Sequence, residues 1–182
     1  MESFIIKGGK KLGGEIEVGG AKNAALKFFA AALLSKEIWQ LRNVPNIEDV
    51  VRMGEILSDL GVEVKKIGDN KYDIRALNIK SNILDEEKTR KLRASITLVA
   101  PLLVRMGKVE FHHPGGCLLG KRPIDIFLDG FKAFGANIKQ GKDKYIISAK
   151  KICGAKFFFR QISVTATETL MMLGVMAEGR TV

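Results

Sequence analysis

The segment LSDLGVEVK at residues 57–65 is matched in pattern by FKAFGANIK at residues 131–139, about 70 residues later. In each copy an amphipathic run ends at a glycine, Gly61 or Gly135, and passes into alternating apolar and polar residues. A glycine in this position is typical of a helix C-terminus, and alternation with a period of two is typical of a strand. A second alternating stretch follows each copy. The sequence therefore predicts two units, each an amphipathic helix followed by a β-hairpin.

A second element recurs ahead of each amphipathic helix. Residues 24–34, 94–104 and 166–177 are apolar on nearly every side, which is typical of a helix that is enclosed by protein. The amphipathic helices should begin after Pro45 and at Pro123, because proline is favoured in the first turn of a helix. The sequence thus predicts three inner helices and two outer ones.

The end of the chain repeats the start of a strand. The motif GKVE at 107–110 follows the second apolar segment, and GRTV at 179–182 follows the third. We therefore expect an α/β (α+β) fold of repeated units in which the third unit is incomplete. The expected units cover residues 22–90, 91–152 and 153–182.

Composition excludes several classes of protein. The 182 residues are 46% hydrophobic and 27% charged, as in globular proteins. No apolar run is long enough for a membrane helix, and the first residues lack the order of a signal peptide, so we expect a cytoplasmic protein with no membrane partner. The two cysteines, Cys117 and Cys153, have neither disulfide-framework nor metal-ligand spacing. We therefore expect no metal and no cofactor, with Cys153 packed in the core.

The formal net charge of +10 indicates an anionic partner, either nucleic acid or a phosphorylated small molecule. Lysines are interspersed with acidic residues, as at 139–144, and no aromatic platform lies among them. Residues 157–159, all phenylalanine, are predicted to form a buried strand rather than a base-stacking surface. This distribution favours a small phosphorylated ligand, while most of the lysines need only form a solvated face.

Polar residues stand immediately before the three inner helices, as Lys22-Asn23, Arg93 and the segment 161–165. If the helices are parallel, their N-termini converge, and each N-terminus offers unpaired N–H groups and a partial positive charge. Such a site suits phosphate or carboxylate. The alternative is that Lys22 and Arg93 are ordinary surface cations.

One loop combines glycines, a thiol and cations. It begins Pro114-Gly115-Gly116-Cys117 and continues to Lys121 and Arg122 just before an expected helix start. Nearby cations and a helix N-terminus stabilise a thiolate, so Cys117 is a candidate general acid or nucleophile, although a lone cysteine is more often a buried small hydrophobe. Arg122 suits phosphate or carboxylate, and Asp125 either binds a ligand or stabilises its helix.

These motifs resemble those of the UDP-N-acetylglucosamine 1-carboxyvinyltransferases, a family of enolpyruvyl transferases. The resemblance rests on residues 20–26, 93–96, 114–125 and 163–167. It implies a protein of two similar lobes, each an inside-out α/β barrel of three repeats around parallel central helices. In this family the strands equivalent to residues 1–21 belong to the other lobe.

The resemblance also implies a reaction. The enolpyruvyl group of phosphoenolpyruvate is transferred to the 3-hydroxyl of UDP-N-acetylglucosamine with release of phosphate, the first committed step of peptidoglycan synthesis. Cys117 would be the general acid that protonates the methylene carbon, and the thiol that fosfomycin alkylates. The residues implied to contact phosphoenolpyruvate are Lys22, Arg93 and Arg122. Those implied to contact UDP-N-acetylglucosamine are Asn23, Arg93, Arg122, Pro123, Ile124, Asp125, Ile126, Gln161, Ile162, Ser163 and Val164.

The chain departs from the family at Gln161, where lysine is common, and Arg160 is the candidate to replace that contact to the diphosphate. The family takes its general base from a second lobe, so we expect this chain alone to be inactive, with open strand edges that favour self-association. Two other classes remain open: a basic nucleotide- or nucleic-acid-binding module without catalysis, and an inactive chain that only binds other chains. The Cys117 loop distinguishes them, since a pure binder needs no activated thiol.

Overall fold

A computed structural model describes residues 3–115 and 123–182 of the chain. Its strands form two antiparallel sheets of three strands each, and both predicted hairpins are confirmed. The first sheet has the order β1-β3-β2, with β1 (Ile38–Leu41), β2 (Glu63–Gly68) and β3 (Lys71–Arg75). The second has the equivalent order β4-β6-β5, with β4 (Lys108–His112), β5 (Asn137–Gln140) and β6 (Lys144–Ser148).

Six α-helices accompany the sheets in the described residues. They are α1 (Lys22–Ala31), α2 (Glu48–Asp59), α3 (Glu86–Lys91), α4 (Val99–Met106), α5 (Asp125–Ala133) and α6 (Val164–Val175). The outer helices α2 and α5 pack against strands β2 and β5 of their own units. The core consists of aliphatic and aromatic side chains from helices and sheets, among them Phe29, Phe111 and Phe131, which are fully buried.

The outer helices end in the same way. The N–H of Gly61 donates to the carbonyl of Ser58 and that of Val62 to the carbonyl of Leu57, at 2.9 and 3.0 Å. In the second unit Gly135 and Ala136 repeat this pair of bonds with Lys132 and Phe131, at 2.9 and 3.0 Å. Both glycines have positive φ, +87° and +90°, as this helix-terminating motif requires. The motif sets the angle at which each hairpin leaves its helix.

The second inner helix differs from the prediction. Residues 94–104 do not form one α-helix, because Arg93–Leu98 is a 3₁₀ helix and the α-helix begins at Val99. Pro101 explains the boundary. Since proline has no N–H, it fits only in the first turn of an α-helix, and a start at Val99 places it there.

The first two inner helices run in the same direction. The 3₁₀ helix Arg93–Leu98 contacts α1, while α4 contacts the turn Ala32–Leu34 that extends α1. Arg105, near the end of α4, donates from its guanidinium to the carbonyls of Leu33 and Ser35 at 2.6 and 3.2 Å. It also donates to the carbonyl of Ala76 at 2.8 Å. The third inner helix, α6, packs against both segments of the second.

Successive units are joined by short parallel pairings. The N–H of Glu110 in β4 donates to the carbonyl of Asn82, and the carbonyl of Glu110 accepts from the N–H of Leu84, both at 2.9 Å. This forms a parallel bridge between Glu110 and Ile83. The segment after the first hairpin therefore borders the first strand of the second unit.

The same pairing opens the third unit. The N–H of Val182 donates to Ala155 at 2.9 Å, and the carbonyl of Val182 accepts from Phe157 at 2.8 Å. Gly179 has φ +96° and stands where Gly107, with φ +70°, stands in the second unit. The predicted match of 107–110 with 179–182 is thus confirmed in hydrogen bonding and backbone conformation.

Two smaller predictions were wrong. Residues 157–159 are not a buried strand: Phe158 is 90% exposed, because only residues Phe157 and Phe159 turn toward the protein, where their rings meet edge to face at 5.0 Å. Cys153 is exposed, because it lies in the parallel pairing opposite Glu178 at the surface of the third unit.

Apolar surface is concentrated at both ends of the described chain. In the stretch 3–20, six large hydrophobic residues are more than four-fifths exposed. On α6, Met171 and Val175 are also exposed and border an apolar cavity of about 480 Å³. None of the helices in the described residues has the length and hydropathy required to cross a membrane.

Candidate functional site

Arg93 holds both flanks of the loop that contains Cys117. Its guanidinium donates to the carbonyl of Pro114 at 3.2 Å and to that of Pro123 at 3.1 Å. The planar group has donors pointing in several fixed directions, so one side chain reaches two carbonyls that a lysine ammonium would not hold in the same way. The segment between them, residues 116–122, lies outside the described residues, and with it the predicted site residues Cys117 and Arg122.

A close backbone contact reinforces this connection. The N–H of Gly115 donates to the carbonyl of Thr89 at 3.3 Å, and a Cβ on Gly115 would overlap with the carbonyl of Arg90. The first unit has an equivalent contact, since a Cβ on Gly20 would overlap with the carbonyl of Asn43. In each unit the segment ahead of the inner helix therefore passes against the loop that follows the first strand of that unit. Glycine is required at both crossings.

Lys22 and Asn23 occupy the first turn of α1 and are exposed. The ammonium of Lys22 pairs with Asp49 in the first turn of α2, Nζ to Oδ2 at 2.9 Å. This ion pair fixes the cation at the start of the inner helix, although Lys22 retains 52% of its side-chain exposure. An anionic ligand would therefore meet Lys22 already oriented by a carboxylate.

The third predicted segment begins α6. Ser163 is the N-cap, and its hydroxyl accepts from the N–H of Ala166 at 3.2 Å. Ile162 and Val164 beside it are 99% and 67% exposed. An ion pair of 3.0 Å between Lys27 Nζ and Glu168 Oε2 joins the middle of α1 to the first half of α6. The inner helices α1 and α6 are therefore neighbours at this point.

Predicted site residues from the start of α5 and from the loop ahead of α6 line the same cavity. Asp125 and Ile126 from the start of α5, and Gln161 from the loop ahead of α6, line a cavity of about 330 Å³. Arg160 lines it as well, as do three residues that the sequence analysis did not propose for the site, Asp129, Phe157 and Phe158. Asp129 was detectable, because it stands four residues after Asp125 on the same helix face.

Other predicted residues do not present side chains to this cavity. Ile124 is only 2% exposed, because it packs in the core at the N-terminus of α5, so only its backbone is available to a ligand. Pro123 is exposed, and its carbonyl is engaged by Arg93. The contact predicted for Ile124 stays a prediction, and in this geometry it would have to come from the backbone.

Asp125, which lines the cavity, also affects the pKa of a buried phenol, that of Tyr145. Tyr145 in β6 is 6% exposed and stacks on Phe111 with ring centroids 5.3 Å apart. Burial raises the pKa of Tyr145 above its ordinary value, and the carboxylates of Asp125 and Asp143 raise it further. The phenol stays protonated at neutral pH.

Comparison with known proteins gives a consistent result. The family described as EPSP synthase (3-phosphoshikimate 1-carboxyvinyltransferase) matches residues 6–182. Two proteins named UDP-N-acetylglucosamine 1-carboxyvinyltransferase are similar over the whole chain: that of Borreliella burgdorferi is 42% identical over 182 residues, and that of Orientia tsutsugamushi is 44% identical over 184. The chain spans 42% and 44% of the length of these two relatives.

Solved structures with the same fold are more distant in sequence. The enolpyruvyl transferase NikO from Streptomyces tendae superposes with a TM-score of 0.79 at 19% identity, over 96% of this chain and 41% of that one. An EPSP synthase from Acinetobacter baumannii superposes with a TM-score of 0.70 at 18% identity, over 92% of this chain and 39% of that one. At these identities the likeness shows the fold.

Proposed function

The chain belongs to the EPSP synthase (3-phosphoshikimate 1-carboxyvinyltransferase) family, and from this premise we propose that it is part of a UDP-N-acetylglucosamine 1-carboxyvinyltransferase. The proposed reaction transfers the enolpyruvyl group of phosphoenolpyruvate to the 3-hydroxyl of UDP-N-acetylglucosamine and releases phosphate. The observation that carries the proposal is the identity of about two residues in five along the entire chain to proteins of that name. The sequence of the Cys117 loop supports it, and so does the cavity that Asp125 and Gln161 line together.

The chemistry assigned to this chain centres on Cys117. The thiol gives a proton to the methylene carbon of phosphoenolpyruvate, and the sugar oxygen bonds to the adjacent carbon as its own proton leaves to a base. Loss of a proton from the new methyl group then expels phosphate and restores the double bond. Arg93 positions the loop through Pro114 and Pro123, so the same guanidinium would link phosphate recognition to the placement of the acid.

The substrate contacts are assigned in two groups. Lys22, Arg93 and Arg122 would hold the carboxylate and phosphate of phosphoenolpyruvate, because each is a cation at or near a helix start. Asp125, Ile126 and Gln161 line a single cavity, which supports a role in binding the nucleotide end of the sugar nucleotide. Asn23 and the segment 162–164 complete the proposed site.

The proposed architecture is one lobe of a two-lobed protein, an inside-out α/β barrel around the three inner helices. The exposed face of α6 and the apolar stretch 3–20 support this, because further protein is needed to cover both. The general base would come from the second lobe. In the isolated chain the same surfaces would favour self-association, and the protein would act in the cytoplasm, where it would be a fosfomycin target serving cell-wall synthesis, cell shape and division.

The proposal is tested by mass spectrometry after incubation with fosfomycin and UDP-N-acetylglucosamine. We expect a covalent adduct on Cys117 that forms faster with the sugar nucleotide present than without it. The Cys117→Ser variant should form none, whereas Cys153→Ser, which removes the exposed second thiol, should label normally. Labelling of Cys153 alone, or of neither cysteine, would contradict the proposed function. A phosphate-release assay on the chain alone should show no turnover.

A further inference from the structure

The first sheet has an open edge at a place where the second and third units are closed. Glu110 in β4 pairs in parallel with Ile83, and Val182 pairs in the same way with the segment 155–157. The corresponding strand of the first unit, β1, lies at the edge of its sheet, and among the described residues no parallel segment borders it. A strand edge with unpaired N–H and C=O groups is a template for a further strand. The first unit therefore has an acceptor site for one more strand.

Gln40 is the residue of β1 that corresponds to Glu110 in β4. Each of them immediately precedes the residue that pairs with the tyrosine of the neighbouring strand, Tyr72 or Tyr145. Neighbouring residues of an antiparallel strand direct their backbone groups to opposite sides. The N–H and C=O of Gln40 therefore point away from β3, as those of Glu110 point away from β6. Gln40 is placed to make the two hydrogen bonds that Glu110 makes with residues 82 and 84.

An apolar cavity of about 470 Å³ adjoins this edge and is lined by residues of α1 and β1. Phe28 of α1 and Trp39 of β1 are among them, and Phe28 is 52% exposed. In the second and third units the parallel segment places a side chain in the core, since Leu84 and Ala155 are buried. A strand added beside Gln40 would fill the cavity of the first unit in the same way.

The segment ahead of α1 has the side-chain pattern that this edge requires. In an extended strand over residues 15–18, Ile16 and Val18 lie on one face and Glu17 lies between them on the other. Both apolar side chains are more than four-fifths exposed. Residues 155–157, Ala-Lys-Phe, have the same order of apolar, charged and apolar side chains, and they also precede an inner helix. The segment 15–18 thus resembles in pattern and position the one that closes the third unit.

The crossing of Gly20 and Asn43 fixes the register of such a strand. The two residues lie in contact, because a Cβ on Gly20 would overlap with the carbonyl of Asn43. Glu17 precedes Gly20 by three residues, and Gln40 precedes Asn43 by three. A parallel strand with Glu17 beside Gln40 therefore reaches the crossing in register, because both strands rise by about 3.3 Å per residue. The segment, α1 and β1 would then form the strand, helix and strand arrangement of the other two units.

We propose that residues 15–18 of this chain add to the open edge of β1 as a parallel strand. The N–H of Gln40 donates to the carbonyl of Ile16, and the N–H of Val18 donates to the carbonyl of Gln40. The side chains of Ile16 and Val18 fill the cavity between α1 and β1. The arrangement with residues 15–18 exposed is the open state of this device, and the docked state predominates in solution.

The strand comes from the same chain rather than from a second copy. Gly20 is already held at Asn43, so only Gly19 separates the added strand from this fixed point. So short a connection costs little loop entropy and gives a high effective concentration. A second lobe, where one is present, competes for the same strand. The inference concerns the chain without that lobe and does not depend on the proposed function.

Trp39 reports on docking, because it is the single tryptophan and lines the cavity. Acrylamide quenching of its fluorescence and amide hydrogen exchange by NMR are measured on the full chain, Ile16→Lys and Ile6→Lys. In the open state Ile16 and Ile6 are 91% and 87% exposed, so only docking distinguishes these matched variants. Ile16→Lys should raise the quenching constant about twofold and speed exchange at Gln40 and Val18 about tenfold, because a buried ammonium is costly. Ile6→Lys should leave both quantities unchanged.

A mixing experiment identifies the chain that supplies the strand. Isotope-labelled Ile16→Lys chain is unfolded in urea with an excess of unlabelled, unmodified chain, and the two are refolded together. The Gln40 amide of the labelled chain should stay unprotected, because its own strand cannot dock. Protection there would show that a second copy supplies the strand and would overturn the inference. Equal exchange at Gln40 in the unmodified chain and in Ile16→Lys, or an equal effect of Ile6→Lys, would overturn it as well.

Discussion

The guanidinium of Arg93 donates a hydrogen bond to the carbonyl oxygen of Pro123, thirty residues away in sequence, at 3.1 Å. A second bond from the same group to Pro114 closes the base of the loop that contains Cys117. These two bonds connect the start of the second inner helix to both ends of the loop. A substitution that removes them should therefore change the conformation of the loop as well as the stability of the helix start.

Arg93→Met should loosen this loop even in the absence of substrate. Hydrogen bonds from a charged group contribute about 1.5–3 kcal/mol each, less where water competes, so we expect a loss of about 2 kcal/mol in the free energy of unfolding. Urea denaturation measures the loss, and the rate of trypsin cleavage after Lys121 reports on the loop itself. Lys91→Met is the control, because it removes an exposed cation two residues away. If Arg93 served only to bind substrate, both variants would have the free energy of unfolding and the cleavage rate of the unmodified chain.

Arg105→Lys should destabilise the protein although it conserves charge. The guanidinium donates to the carbonyls of Leu33, Ser35 and Ala76, which come from two separate turns, and an ammonium cannot reach all of them. We expect the free energy of unfolding, measured by urea denaturation, to fall by about 2–3 kcal/mol. Arg42→Lys, at an exposed arginine, should stay within about 0.5 kcal/mol of the unmodified chain. A similar small change for Arg105→Lys would show that water replaces these bonds.

Gly20→Ala should lower the free energy of unfolding more than Gly19→Ala, although the two residues are adjacent. A Cβ at Gly20 would overlap with the backbone of Asn43, whereas a Cβ at Gly19 would meet nothing within 4 Å. Because backbone cannot move aside like a side chain, Gly20→Ala should cost about 1–2 kcal/mol, and Gly19→Ala close to zero. Thermal unfolding of the two variants under one set of conditions gives the comparison. Equal midpoints would show that the stretch before α1 moves away freely.

Lys27 and Glu168 should show coupling between the first and third inner helices. Their ion pair is largely shielded on the lysine side, where only 15% of the side chain is exposed. A double-mutant cycle with Lys27→Met and Glu168→Gln should give a coupling energy of about 0.5–1.5 kcal/mol. The matched surface cycle at Lys22 and Asp49, which are 52% and 35% exposed, should give a smaller value. Additive effects at Lys27 and Glu168 would argue against the packing of α1 beside α6.

Tyr145 should contribute to a loss of stability at alkaline pH. Burial, with the carboxylates of Asp125 and Asp143, raises its pKa above 10.0 in the folded chain. The unfolded chain therefore loses this proton first, so the contribution to stability is complete below pH 10.0 and is lost as the pH rises through the raised pKa. Tyr145→Phe removes the titration, and its free energy of unfolding should fall less steeply above about pH 10. Parallel pH profiles for both proteins would contradict this assignment.

Sequence patterns predicted the repeated architecture because each signal was local. The glycines at 61 and 135, and the alternation after them, determine helix ends and hairpins through backbone conformation and periodicity. The 3₁₀ helix at Arg93 was not predicted, because apolar periodicity does not show where Pro101 prevents α-helical hydrogen bonding. Arg105 was missed because its carbonyl partners come from distant segments.

The candidate site was predictable in part for the same reason. The residues before each inner helix were identified from their position in the repeat, and Asp125, Ile126 and Gln161 do line one cavity. The exposure of Phe158 was not predicted, because a run of three phenylalanines indicates burial unless the direction of each side chain is known. Likewise, the burial of Ile124 depends on how the start of α5 packs.

The parallel pairings of Glu110 with Ile83 and of Val182 with the segment 155–157 have a consequence for recombination. The last segment of one repeat pairs with the first strand of the next repeat. The protein therefore cannot be divided near residues 90 and 152 into modules that fold independently. A chimera that exchanges one repeat for a homologous one must carry the trailing segment of the preceding repeat with it. Each repeat therefore depends structurally on its neighbour and is not an exchangeable module.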